Sequence, residues 1–207
     1  MKIIISLVLS ILILTGCAKN NIKLEGTGDY NTQSLSHSET HKAENNVEDK
    51  NTTPKEEPFT AFSTKVSQKD PNRQTNITIT CQSLNGIIVK SGETFSFCNT
   101  LGPAKPENGY QKADTFDSDG DTIKAYGGGK CQVSTTLYNA VLAGSGLTVV
   151  ERHTHSGDVF YVPEGKDACV SYGSCDFKFR NDNPFDIKMY FSNTPDSIDV
   201  SIVKISS

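Results

Sequence analysis

The residues best suited to chemistry lie in the run Tyr126-Gly127-Gly128-Gly129-Lys130-Cys131-Gln132-Val133-Ser134-Thr135-Thr136-Leu137-Tyr138-Asn139-Ala140-Val141. Val133, Leu137 and Val141 recur every fourth residue, which predicts one buried helix face, and Gly144 and Gly146 end it. Cys131 then falls in the first turn of that helix, beside Lys130. Free amide donors and the positive end of the helix dipole favour thiolate over thiol at such a position. The three glycines allow close backbone approach by a ligand and leave the sulfur uncovered. Gly128, Gly129, Lys130 and Gln132 are therefore candidate substrate contacts, with amides from Gly129 to Gln132 forming an oxyanion hole.

A nucleophilic thiol needs a base. Leu147-Thr148-Val149-Val150-Glu151-Arg152-His153-Thr154-His155-Ser156 reads as a strand leaving the helix, and alternation puts His153 and His155 on one face. Either imidazole is a candidate general base. Asp176, on a strand read from Asp167 to Arg180, is the candidate to orient it, and Arg152 has the fork geometry to hold a substrate carboxylate. By ligand type alone, Cys131, His153 and His155 also suit a tetrahedral zinc. A nucleotide loop does not fit, because the glycine run lacks the G-x-x-x-x-G-K-[ST] spacing. The leading reading calls for no cofactor and no metal.

Around these residues the pattern is mixed. Pro71 to Gly86 suits either a helix, by the spacing of Ile77, Cys81 and Leu84, or a strand, by its β-branched run. Ile87-Ile88-Val89 and Thr94-Phe95-Ser96-Phe97 read as short strands about a Ser91-Gly92 turn. Gly102 to Gly120 reads as loop, and its Asp117, Asp119 and Asp121 as a solvated acidic stretch without the downstream Glu of a calcium loop. Asp167 to Arg180, Phe185 to Ser192 and Ser197 to Ile205 read as antiparallel strands separated by Asn/Pro turns. The expected class is α+β: one central helix carrying a Cys at its N-terminus, packed on an antiparallel sheet.

The chain of 207 residues opens with Lys2 and the apolar run Ile3 to Leu14, followed by Leu14-Thr15-Gly16-Cys17. The run suits a signal-peptide core better than a membrane span, and the following residues resemble the lipobox of bacterial lipoproteins. Residues 1–16 are thus expected to be a signal peptide, and Cys17 the lipidated start of a disordered tether running to residue 58. A folded domain is expected over 59–207, on the extracytoplasmic face of the membrane and facing the wall. With 24 acidic and 20 basic residues, net charge −4, the chain has no basic stripe to hold nucleic acid. Cys17 apart, five cysteines remain: Cys81, Cys98, Cys131, Cys169 and Cys175. Five is odd in a compartment that permits disulfides, so at least one thiol is expected to stay unpaired within a single chain.

Several strings together resemble the VanW family: Ser91-Gly92-Glu93-Thr94-Phe95-Ser96-Phe97, Gly109-Tyr110, Gly127 to Ala140, Glu151-Arg152-His153-Thr154-His155-Ser156 and Tyr172-Gly173-Ser174. The resemblance covers about Asn72 to Tyr190. It implies an envelope protein of Gram-positive bacteria, and some members of the family are assigned as peptidoglycan L,D-transpeptidases with a cysteine nucleophile. Carried over, Cys131 is that nucleophile with His153 or His155 nearby, and peptidoglycan stem peptides are the substrate. Cys81, Cys98, Cys169 and Cys175 depart from the family pattern, which suggests two disulfides and leaves Cys131 as the odd thiol. A wall-binding module without turnover is the competing expectation.

Overall fold

The computed structural model describes residues 55–206, so the expected signal peptide, Cys17 and most of the expected tether lie outside the described residues. In chain order the elements are β1 (Lys55–Lys65), α1 (Pro71–Leu84), β2 (Ile88–Val89), β3 (Thr94–Ser96), α2 (Phe97–Leu101), β4 (Lys112–Phe116), β5 (Thr122–Tyr126), α3 (Lys130–Ala143), β6 (Leu147–Glu151), β7 (Lys178–Asn181), β8 (Asp186–Asn193) and β9 (Ser197–Ser206). The architecture is α+β with antiparallel sheets.

β1 begins at Lys55, so the folded chain starts ahead of the Phe59 boundary and residues 55–58 are sheet, not tether. The four-stranded sheet runs β1-β9-β8-β2, which makes β1 an edge strand. An edge tolerates Pro58, which has no N–H to donate, and the pairing with β9 shifts register between Pro58 and Thr60. The inward faces of β8 and β9 bury Ile187, Met189, Ile198, Val200 and Ile202. α3 lies against this sheet through Val133, Leu137, Ala140 and Val141, all fully buried.

The ambiguous segment is helix α1. Asp70 caps it, its side chain accepting the Arg73 N–H at 3.0 Å, and Pro71 occupies the first turn, where no donor is missed. Arg73, Asn76, Ile77, Thr80, Cys81 and Leu84 form its buried face, and this spacing outweighs the β-branched run. Asn76 has no exposure. Its amide donates to Gln111 O and Gly128 O, each at 2.9 Å, and its Oδ1 accepts from Gln111 N at 2.7 Å. One side chain thus ties α1 to β4 and to the glycine run. Asn76→Ala leaves those backbone groups unpaired, and a loss of at least about 2 kcal/mol is expected in urea unfolding. An unchanged midpoint would contradict this role.

Within the stretch expected to be loop, β4 forms and pairs with β5 as a hairpin, Lys112 opposite Tyr126 through Phe116 opposite Thr122. Asp117 builds its turn by accepting the N–H groups of Asp119 (3.0 Å) and Asp121 (2.9 Å). β2 and β3 join different sheets, β2 pairing with β8 and β3 with β7 in the order β3-β7-β6. The strand read from Asp167 shrinks to β7; upstream, only His153–Cys169 and Ser171–Cys175 pair as single bridges. β6 ends at Glu151 after a register shift between Val149 and Glu151, so His153 and His155 lie beyond it. Strand alternation therefore does not hold there, and the two imidazoles do not share a face.

Candidate active site

The glycine run is shaped by the protein's own packing. Gly129 starts α3 with φ 112, in the left-handed region. A Cβ on Gly128 would fall 2.5 Å from Asp114 O, and one on Gly129 2.9 Å from Ile77 Cγ1. Gly128 and Gly129 are thus occupied by α1 and β4, not open to a ligand as expected. Lys130 turns inward, its Nζ reaching Gly102 O at 3.3 Å and standing 5.3 Å from the Tyr110 ring centre. Gln132 accepts from Arg73 Nη2 (2.9 Å) and donates to Lys65 O (3.0 Å) and Thr64 Oγ1 (3.2 Å). Both side chains hold the fold, and the expectation that they contact substrate is corrected.

The polar face of α3 grips the segment at 166–170. Ser134 Oγ donates to Ala168 O, Thr135 Oγ1 accepts Ala168 N–H at 2.9 Å, and Asn139 Nδ2 donates to Lys166 O at 2.7 Å. Cys131 completes the row, with Val170 N and O each 3.4 Å from its sulfur. These bonds lay Asp167 and Cys169 beside the first turn of α3.

Asp167 organises the next layer. Its Oδ2 receives the His155 N–H at 2.8 Å and stands 2.6 Å from His155 Nδ1. Its Oδ1 takes Arg152 Nη2 at 2.7 Å, and its backbone O takes Arg152 Nε at 2.6 Å. The His155 and Asp167 side chains are 6% and 8% exposed. With Nδ1 on the carboxylate, Nε2 is buried without a hydrogen bond, and a ring nitrogen of His155 lies within 4.8 Å of Cys131 Sγ. Phe116, from β4, stands edge-on to the imidazole at 6.3 Å. Cys131, His155 and Asp167 thus form a thiol–imidazole–carboxylate row.

Charge follows geometry. The adjacent Cys169 thiol holds the Cys131 pKa well below the usual thiol range, and His155 and the Val170 amide reinforce it against burial. Burial works against an imidazolium at His155, but Cys131 and Asp167 outweigh it and raise its pKa. Burial likewise opposes ionised Asp167, and bonds from His155 overcome it, lowering the carboxyl pKa. Cys169 is pushed up, first by the neighbouring Cys131 and then by burial. A thiolate–imidazolium pair braced by a carboxylate is the favoured state.

Other expected residues stand elsewhere. His153 pairs with Glu151 Oε1 at 2.9 Å, half exposed, so His155 is the imidazole at the thiol. Asp176 does not orient it: its Oδ1 accepts from Cys98 N and Phe177 N, each at 2.8 Å, and its Oδ2 from Ser96 Oγ at 2.6 Å. Arg152 is engaged by Asp167 and lies 5.4 Å over the Tyr138 ring, so its guanidinium braces the row rather than substrate. The zinc set of Cys131, His153 and His155 is not assembled; Cys169 stands where His153 was expected. Cys81, Cys98, Cys169 and Cys175 form no disulfide, and with Cys131 they are free thiols among the described residues. Burial pushes Cys81 and Cys98 up to about 12, whereas Cys169 adjoins Cys131 itself.

Asp167 as a site residue, and the place of Cys169 beside Cys131, escaped the sequence reading. Their alternation in Lys166-Asp167-Ala168-Cys169-Val170 was the available signal, since an extended segment puts both on one side. Nearby, a cavity of about 320 Å³ is walled by Asn99, Glu151, Tyr172, Cys175 and Lys178. Cys175 acts on the Cys169 thiol, which connects that cavity to the row.

The profile of a protein family described as "VanW like protein" matches residues 72–203. The chain is 38% identical over 120 residues to "Uncharacterized protein YoaR" of Bacillus subtilis (strain 168), covering 58% of this chain and 39% of that protein. It is 34% identical over 116 residues to "Vancomycin B-type resistance protein VanW" of Enterococcus faecalis (strain ATCC 700802 / V583), covering 54% of this chain and 42% of that protein. The chain thus spans about two fifths of the length of these curated relatives. No solved structure is significantly similar.

Proposed function

Because this chain belongs to the VanW-like protein family, we propose that it works on the bacterial cell wall by cysteine acyl transfer, cross-linking peptidoglycan stem peptides as an L,D-transpeptidase. The observation that carries this reading is the Cys131–His155–Asp167 row, and the resistance named for the enterococcal relative agrees with a wall substrate. The Cys131 thiolate attacks an amide carbonyl carbon, and a thioester forms as the carbon–nitrogen bond breaks. His155 gives its Nε2 proton to the departing amine. The incoming amine then attacks the thioester, neutral His155 takes its proton, and the thiolate leaves. Asp167 keeps Nδ1 protonated, so that Nε2 is the nitrogen that trades protons. Lys130 and Gln132 amides close onto Gly127 O (3.0 Å) and Gly129 O (3.1 Å), which leaves the Cys131 amide for the oxyanion. In this reading Cys17 carries the lipid and holds the domain at the outer face of the membrane.

The test compares muropeptides from cells carrying wild type or Cys131→Ala, in a strain without other family members. Loss of a class of cross-link in the variant is expected. Unchanged cross-links would overturn the reading, and a variant that still binds isolated wall normally would then make this a wall-docking module.

A further inference from the structure

We propose that Cys131, His155 and Cys169 also bind a zinc ion, which switches the thiol off. Two sulfurs and one imidazole nitrogen lie within 4.8 Å of one another. Tetrahedral zinc, with bonds of about 2.3 Å to sulfur and about 2.0–2.1 Å to nitrogen, sets such atoms roughly 3.5–3.8 Å apart. Binding draws the three atoms together by roughly 1 Å to reach that spacing.

Three features suit the set to a metal. His155 Nε2 is buried and makes no hydrogen bond, on a side chain only 6% exposed. Its Nδ1 stands 2.6 Å from Asp167 Oδ2, the carboxylate–histidine order that orients imidazoles toward zinc. The Val170 N–H, 3.4 Å from Cys131 Sγ, supports the first sulfur as a thiolate ligand. Thiolates with imidazole select zinc over calcium or magnesium. Three protein ligands leave one position for water.

Starting from thiolate, imidazolium and thiol, binding Zn²⁺ releases two protons, one from His155 Nε2 and one from Cys169 Sγ. The sulfur lone pair then lies in a metal bond and the imidazole has no proton to give, so the loaded site cannot begin acyl transfer. That consequence rests on the acyl-transfer reading; the ion site itself does not.

The full chain, made metal-free, is titrated with Co²⁺ and with Zn²⁺ alone. One equivalent of Co²⁺ is expected to give thiolate charge-transfer absorption with tetrahedral d–d bands, which Zn²⁺ abolishes. Zn²⁺ should also protect Cys131 from iodoacetamide, read on its own peptide in a mass spectrometer, and chelator should reverse it. Cys169→Ser should remove the protection of Cys131 by Zn²⁺, and Asp167→Asn should weaken zinc by about 10–100-fold. Absence of the thiolate bands, or Cys131 labelled as fast with Zn²⁺ as without it, would overturn the proposal without relying on any variant. If zinc binds but Cys131→Ala changes no cross-links, only the acyl-transfer reading falls. If cross-links need Cys131 and zinc protects nothing, only the ion site falls.

Discussion

In metal-free protein, His155→Gln is expected to slow iodoacetamide labelling of Cys131 at pH 6 by on the order of 10–10²-fold. An unassisted thiol has a pKa near 8.5, roughly one ionised in 300 at that pH. Cys131 sits well below the usual range because Cys169 and His155 both favour its thiolate. A lowered thiol pKa extends the reactive plateau toward acid, so losing the imidazole moves the rise to higher pH. Cys169 and the Val170 amide remain in the variant, which keeps the effect below the full 300-fold, and a more basic thiolate is also intrinsically more nucleophilic. His153→Gln, which alters a half-exposed imidazole paired to Glu151, should leave the labelling profile where it is. Identical profiles for wild type and His155→Gln would break the link between imidazole and thiol.

Under the proposed acyl transfer, Asp167→Asn is expected to reduce cross-link formation by about 10²–10⁴-fold, the order of loss when a triad carboxylate becomes an amide. An amide at that place presents an N–H toward Nδ1 as readily as an oxygen. The imidazole can then put its proton on Nε2, facing the sulfur, where it cannot accept one. The variant also loses the charge that faces Arg152, 2.7 Å away. A drop in stability alone would reduce the amount of folded protein without altering its pH–rate profile. A displaced profile in folded protein separates the tautomer effect from unfolding. A variant with wild-type rate and profile would remove Asp167 from the row.

Cys131 was legible because two local signals coincide there, a helical hydrophobic period and a glycine stop before it. Its partners were not local. His155 was in view, but alternation assigned it the same status as His153, and only the end of β6 at Glu151 separates them. Asp176 looked suitable on sequence and proved to hold the Cys98 N–H in the first turn of α2, while Asp167 gains its place from three side chains of α3 that bind backbone, not from any motif of its own. The glycines were recognised as necessary for the wrong reason, since a sequence does not reveal that Asp114 O and Ile77 will press on them. The β4–β5 hairpin was unreadable because just one of its strand residues, Ala113, is fully buried, too faint a period-2 pattern to register. The even pairing of four cysteines failed because counting thiols says nothing of which are neighbours.

In the proposed acyl-transfer cycle, the contact between Cys131 Sγ and the Val170 amide has a mechanical side. A thiolate is a strong acceptor and a thioester sulfur a poor one, so forming the acyl group withdraws the anchor at the end of the row that α3 makes with residues 166–170. Asp167 lies in that same stretch. The grip on the imidazole's partner is therefore tightest in the resting protein and slackens while the acyl group is attached, so each turnover ends with the stretch being re-seated by the returning charge.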